Sequence, residues 1–168
     1  MQEIKREILI SKASEMLGNG TVDRVLGWKH GEFDYDITPA VFRTAEELEK
    51  DFVWNDFCGA NFSKYLIKET AKSENKVLVF LKPCDTYSFN QLLTEHRFDR
   101  EKVYAVGVPC NGMLDANRIK DSAEGISSIR EENGSILVDT LYDGTVTLDR
   151  NDMLSERCVN CKSKKHTA

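Results

Sequence analysis

The chain is poor in the features that mark many functions. It has 3 prolines, 2 tryptophans and 3 histidines in 168 residues. None of its apolar runs is long enough to span a bilayer. Met1-Gln2-Glu3-Ile4-Lys5-Arg6 goes straight into an amphipathic pattern, without the apolar block of a signal peptide. Membrane insertion is therefore not expected, and a cytoplasmic location is. Lys and Arg number 23 against 28 Asp and Glu, a net charge of −5 with no basic stripe, which argues against a nucleic-acid partner. The one basic cluster, Lys162, Lys164 and Lys165, reads as a solvated tail. Walker, G-x-G-x-x-G, G-x-S-x-G and H-E-x-x-H motifs are all missing, and His30, His96 and His166 share no ligand spacing.

What is present is the pattern of a globular domain, 40% hydrophobic and 30% charged. Ile4, Ile8, Leu9, Ala13, Met16 and Leu17 recur at helical spacing until Gly18-Asn19-Gly20 stops them. Residues 21–28 and 36–43 read as strands, the second carrying Pro39 and so placed at an edge or strand end. Thr44 with Glu47 makes a capping box for a helix through Lys50. Phe62, Tyr65, Leu66 and Ala71 mark a further helix, residues 76–81 a strand, and Asp85 the N-cap of a helix carrying Phe89, Leu92 and Leu93. Residues 102–108 repeat the strand, and Pro109-Cys110-Asn111-Gly112 opens another helical turn.

This alternation is the sequence form of an α/β fold, a mostly parallel sheet with flanking helices. Beyond Asp121 the texture changes. Residues 126–129, 135–141 and 145–148 are short strands separated by Asn133-Gly134 and Asp143-Gly144, both hairpin dipeptides. The expected organisation is an α/β domain over 1–120, then a small antiparallel C-terminal meander and Cys-x-x-Cys segment over 121–168, packed as one unit. A short helix over 151–156 delivers the last two cysteines.

The five cysteines carry the chemistry. Cys84 and Cys110 each follow a proline at the end of an apolar β-run, 26 residues apart. That separation is about one strand–helix–strand unit, so neighbouring parallel strands present both thiols at the carboxyl edge, where open α/β sheets bind ligands. Cys158-Val159-Asn160-Cys161 adds a close pair. In a reducing compartment, four patterned thiols point to a metal or redox centre rather than disulfides. A [4Fe-4S] cluster takes four cysteines and suits this set. Zinc, stapling a non-enzymatic interaction module, is the alternative. A dithiol redox protein using Cys158 and Cys161 is another, although such a pair normally opens a helix after a strand. Cys58, read as opening a helix whose amides lower its pKa, Asp85 and Asn111 are candidates for flavin or second-shell contacts. Taken singly, each of these residues also has an ordinary structural reading.

Val77-Leu78-Val79-Phe80-Leu81-Lys82-Pro83-Cys84-Asp85 followed by Val106-Gly107-Val108-Pro109-Cys110 resembles the beta-subunit family of coenzyme F-420 hydrogenases and dehydrogenases. Thr21 to Gly27 resembles that family's opening strand, and Arg157-Cys158-x-x-Cys161 falls where its members bring in further cluster cysteines. The resemblance implies an electron-carrying subunit with one [4Fe-4S] cluster, often beside a flavin (FAD). It gives ligand roles to Cys84, Cys110, Cys158 and Cys161. It further implies redox partner subunits or a ferredoxin, in a hetero-oligomer rather than a complete enzyme.

Overall fold

The computed structural model describes residues 5–33 and 35–162. Ile4, Lys164, Lys165 and His166 lie outside the described residues. Helix α1 (Arg6–Gly18) leads to strands β1 (Arg24–His30) and β2 (Ile37–Phe42). Helix α2 (Ala45–Asp51), the two-residue strand β3 (Phe52–Val53) and helix α3 (Ser63–Lys72) follow. The α/β repeat continues with β4 (Val77–Leu81), α4 (Pro83–Thr94), β5 (Val103–Gly107) and α5 (Ala116–Ser122). Strands β6 (Ile126–Glu132), β7 (Ser135–Thr140) and β8 (Thr145–Asp149) precede a last short helix, α6 (Glu156–Val159).

The main sheet runs β2-β1-β4-β5. Strands β1, β4 and β5 are parallel, while β2 and β3 pair antiparallel with β1. All five residues of β4 are buried, as expected of an apolar run covered on both faces. Pro39 does sit in the edge strand β2, where its missing N–H costs no ladder bond to a second neighbour. Residues 81 and 107 are paired in register at the carboxyl ends of β4 and β5, and the Val108 N–H donates to the Leu81 carbonyl at 2.9 Å. The two Pro-Cys segments therefore leave the sheet side by side.

The meander β6-β7-β8 is antiparallel, turned first by Asn133 (φ 52°) and Gly134 (φ 81°). Left-handed values at both central positions give the primed hairpin turn that the dipeptide encodes. Its core of Ile136 and Val138 is shared with Ile119 of α5 and with Leu114 and Leu154. The unit is tied to the main sheet by Arg150, which donates to Asp56 at 2.9 Å, Glu131 at 3.1 Å and the Gly112 carbonyl at 3.2 Å.

Three local expectations change. In α1 the buried face is Leu9, Ile10, Ala13 and Met16, and Ile8 is exposed, because Ile8 lies on the opposite side of the helix from that stripe. Pro109 to Gly112 forms no helical turn; α5 begins only at Ala116, capped by Asp115, whose side chain accepts from Asn117 N–H. Residues 151–153 are turns, Leu154 bridges to Leu114, and the terminal helix is Glu156–Val159, so Cys158 lies within it.

Burial pushes the Asp56 carboxyl up to about 6 against the pull of Arg150, with Glu131 adding to the rise. The folded protein therefore holds this proton more tightly than the unfolded chain does. Its contribution to stability is complete below the ordinary value near 3.8 and is lost as pH rises through about 6. Asp56→Asn is expected to flatten the stability profile between about pH 4 and about pH 6.5, removing a slope worth on the order of 2 kcal/mol. Thermal melts across that range measure it, and an unchanged slope rejects the assignment.

Candidate functional site

Three separated segments meet above the carboxyl ends of β4 and β5. They enclose a cavity of about 180 Å³ lined by Cys84, Cys110, Cys158 and Cys161, together with Lys82, Asp85, Met113 and Arg157. Gly59, Asn61 and Gly112 complete the wall. All four cysteines singled out as ligands thus face one space, although Cys84 and Cys161 are 77 residues apart in the chain.

Each cysteine is placed by a different device. Cys84 sits in the first turn of α4, with Pro83 at a position where the missing N–H costs nothing. Asp85 is not the N-cap, as its residue type had implied, but lies three residues inside the cap position of Lys82. Its carboxylate reaches back to accept the Lys82 backbone N–H at 3.1 Å. Cys110 follows β5 in an irregular segment, and Gly112 N–H donates to its sulfur at 3.4 Å. Gly112 has φ 103°, a conformation in which other residues are strained. Cys158 is carried by α6, and Met113 N–H donates to its sulfur at 3.4 Å, tying the last helix to the loop after β5. The bridge between Leu114 and Leu154 and the bond from Ser155 N–H to the Met113 carbonyl hold the same joint. Cys161 follows α6 directly, its N–H donating to the Cys158 carbonyl at 3.3 Å.

Lys82 was not foreseen as a site residue. Its side chain is buried, with Nζ 2.9 Å from Asp85 Oδ2 and 2.9 Å from the Ala60 carbonyl. Nζ also lies 4.9 Å from the centre of the Trp28 ring, within cation–π range. Arg157, likewise unforeseen, lines the cavity from an exposed position and donates to the Gly59 carbonyl at 3.0 Å. The available signal was position: each cation directly precedes a Pro-Cys or a Cys-x-x-Cys. Ser88 and Ser63 add hydrogen bonds to the Asp85 carbonyl at 3.0 and 3.1 Å, locking the first turn of α4 against α3.

The other candidates fall apart from this group. Cys58 lies in a turn ahead of α3, not at a helix start. It is fully buried, its sulfur accepting from Asn55 N–H at 3.3 Å, and burial pushes its thiol up to about 12 rather than down. Asn111 is exposed, and its neighbour Gly112 takes the place on the cavity wall. Asp85 does line the cavity, fully engaged by Lys82. Partial burial and the adjacent Asp85 charge both push the Cys84 thiol upward, so without a metal or proton acceptor it stays protonated at neutral pH.

Among the described residues, no three His, Cys, Asp or Glu side chains converge closely enough to hold one metal ion. The four thiols surround a volume instead of a point. Zinc bonded to sulfur at about 2.3 Å draws its ligands to within about 4 Å of one another. A cubane binds each cysteine at a different iron, and so accepts thiols set apart around a cavity. The four-cysteine donor set and the two amide bonds to sulfur fit a [4Fe-4S] cluster. A flavin does not fit there, since about 180 Å³ is below the roughly 300–1,000 Å³ typical of organic ligand pockets. No helix among the described residues is long and apolar enough to cross a membrane.

No family model matches the chain. Over 99 residues it is 30% identical to the F420-dependent formate dehydrogenase subunit beta of Methanocaldococcus jannaschii, a match covering 59% of this chain and 26% of that protein. It is also 30% identical over 99 residues to the F420-dependent formate dehydrogenase 1 subunit beta of Methanococcus maripaludis, covering 25% of it. The matched part is thus about a quarter of the length of these curated relatives. In fold, 92% of the chain superposes with a TM-score of 0.71 on 58% of a chain from the F420-reducing [NiFe] hydrogenase complex of Methanosarcina barkeri, at 17% identity. Over those 99 residues the chain is thus similar in sequence to beta subunits of F420-dependent formate dehydrogenases, and in fold to a chain of the F420-reducing hydrogenase complex.

Proposed function

We propose that the chain is an electron-transfer subunit of a larger oxidoreductase, working beside redox partner subunits of the hydrogenase or formate dehydrogenase kind. One [4Fe-4S] cluster would be held by Cys84, Cys110, Cys158 and Cys161. The observation that carries this reading is the meeting of four thiols, from three distant segments, around one cavity at the carboxyl edge of a parallel sheet. The likeness to beta subunits of formate dehydrogenases supports the same class of activity.

Bound in the cavity, the cluster supplies one-electron transfer; the chain supplies the setting. Four thiolates would bring four negative charges, which Arg157 partly offsets, the charge of Lys82 being matched by Asp85. The Gly112 and Met113 amides draw electron density from two of the sulfurs, and such bonds raise a cluster's reduction potential. The ionisable side chains on the cavity wall besides the cysteines are Arg157 and the mutually paired Lys82 and Asp85. Because Cys84 and Cys110 share the cavity with Cys158 and Cys161, this reading is favoured over a two-cysteine redox protein.

Protein purified anaerobically is expected to be brown and to carry about four irons and four acid-labile sulfides per chain. Cys84→Ser and Cys161→Ser should each lower the iron content severalfold. A colourless protein with about one zinc per chain sinks the proposal. Cys58→Ser is expected to leave iron content unchanged while lowering stability by about 1–2 kcal/mol, because a buried, weakly polar sulfur gives way to a hydroxyl. Metal analysis alongside thermal melts separates the two effects; lost iron at unchanged stability would make Cys58 a ligand and overturn the four-cysteine set.

A further inference from the structure

The cysteine cavity reaches the surface at a patch of mixed character. Cys84 lines it and is exposed, and Tyr87, three residues on along α4, is 74% exposed on the same side of that helix. Val159, between the two terminal cysteines, is 53% exposed. Arg157 is exposed on the cavity wall, and exposed Lys162 directly follows Cys161. Two exposed apolar side chains thus lie within three residues of cavity cysteines along the chain, as do Arg157 and Lys162.

Charge is distributed unevenly along the chain. From Arg157 onward the sequence holds Arg157, Lys162, Lys164 and Lys165 and no acidic residue, in a chain whose net charge is −5. The remainder is therefore more acidic than the whole. Of these cations, Arg157 and Lys162 are exposed among the described residues and flank Cys158 and Cys161, so the segment bearing this pair is the one suited to meet negative charge. Charge so placed orients encounters and raises their rate.

We infer that the face on which the cavity opens is a docking surface for the acidic face of an electron-carrying protein. Exposed Tyr87 and Val159, close in the chain to cavity cysteines, would give it apolar contacts, and Arg157 and Lys162 its cations. The inference rests on the proposed function and names the partner that function requires. The exchange balances simply: one electron leaves the reduced carrier and enters this chain's centre, with no bond made or broken and no proton moved. A small patch suits the task, since electron-transfer encounters bury little surface and must dissociate after each turnover.

The test uses the anaerobically purified chain and two probes, an acidic plant-type [2Fe-2S] ferredoxin and a basic cytochrome c, with binding read by calorimetry. The ferredoxin is expected to bind, with affinity falling about tenfold between 50 and 200 mM salt as the charges are screened, and the cytochrome to bind at least about tenfold more weakly. Lys162→Glu and Tyr87→Ala should each weaken ferredoxin binding about tenfold. Lys76→Glu changes the charge equally but lies before β4, at the opposite edge of the sheet, and should change affinity less than about twofold. Equal binding of both probes, no ferredoxin binding, salt-independent binding, or equal effects of Lys76→Glu and Lys162→Glu overturns the inference. Iron and sulfide are counted on the same sample. Cluster-loaded protein that fails to bind removes the docking surface and leaves the function standing, whereas iron-free protein that binds does the reverse.

Discussion

A buried ammonium group has to be answered by its surroundings, and at Lys82 the answer organises the site. Desolvating such a charge costs several kcal/mol unless an opposite charge and hydrogen bonds replace water. Asp85 provides the charge, the Ala60 carbonyl a hydrogen bond, and the Trp28 ring a face. These partners come from the first turn of α4, the loop before α3, and β1. Satisfying one nitrogen therefore fixes the loop bearing Gly59 and Asn61 against the turn bearing Cys84. The wall of the cavity and one candidate ligand are set by the same requirement.

A second joint brings the far end of the chain to this wall. Arg150 reaches from the turn after β8 to Asp56, to Glu131 and to the carbonyl of Gly112, two residues beyond Cys110. Together with the amide of Met113 bonded to the Cys158 sulfur, it holds the meander where α6 can close the cavity. The meander's contribution is thus mechanical: it is a spacer whose own small core sets the position of the last two cysteines.

Much of this was legible in the residues because it is local. The apolar run of β4, the hairpin dipeptides and the Thr44 cap each encode their structure within a few positions. The neighbouring placement of Cys84 and Cys110 followed from strand spacing alone. What escaped depends on tertiary pairing. A lysine next to a proline gives no sign that it will be buried, because its burial is decided by Asp85, Ala60 and Trp28 together. Asp85 has the residue type of an N-cap, yet three residues inside the cap position it does a different task, binding the cap residue's backbone and its ammonium. Cys58 was misjudged because its local sequence resembles a helix start, whereas the chain makes a closed turn there and buries the sulfur.

The cavity takes its walls from the loop before α3, the ends of β4 and β5, and the segment after the meander. It consequently has no existence in a partly made chain. The main sheet can collapse around β1 and β4 while Cys158 and Cys161 are still absent, and Cys84 and Cys110 then stand at an open edge. Closure waits for three more strands to pair and dock, a long loop whose entropic cost is met only when the second core forms. The four-cysteine pocket is therefore complete only when the meander has docked and brought the last helix to the loop after β5.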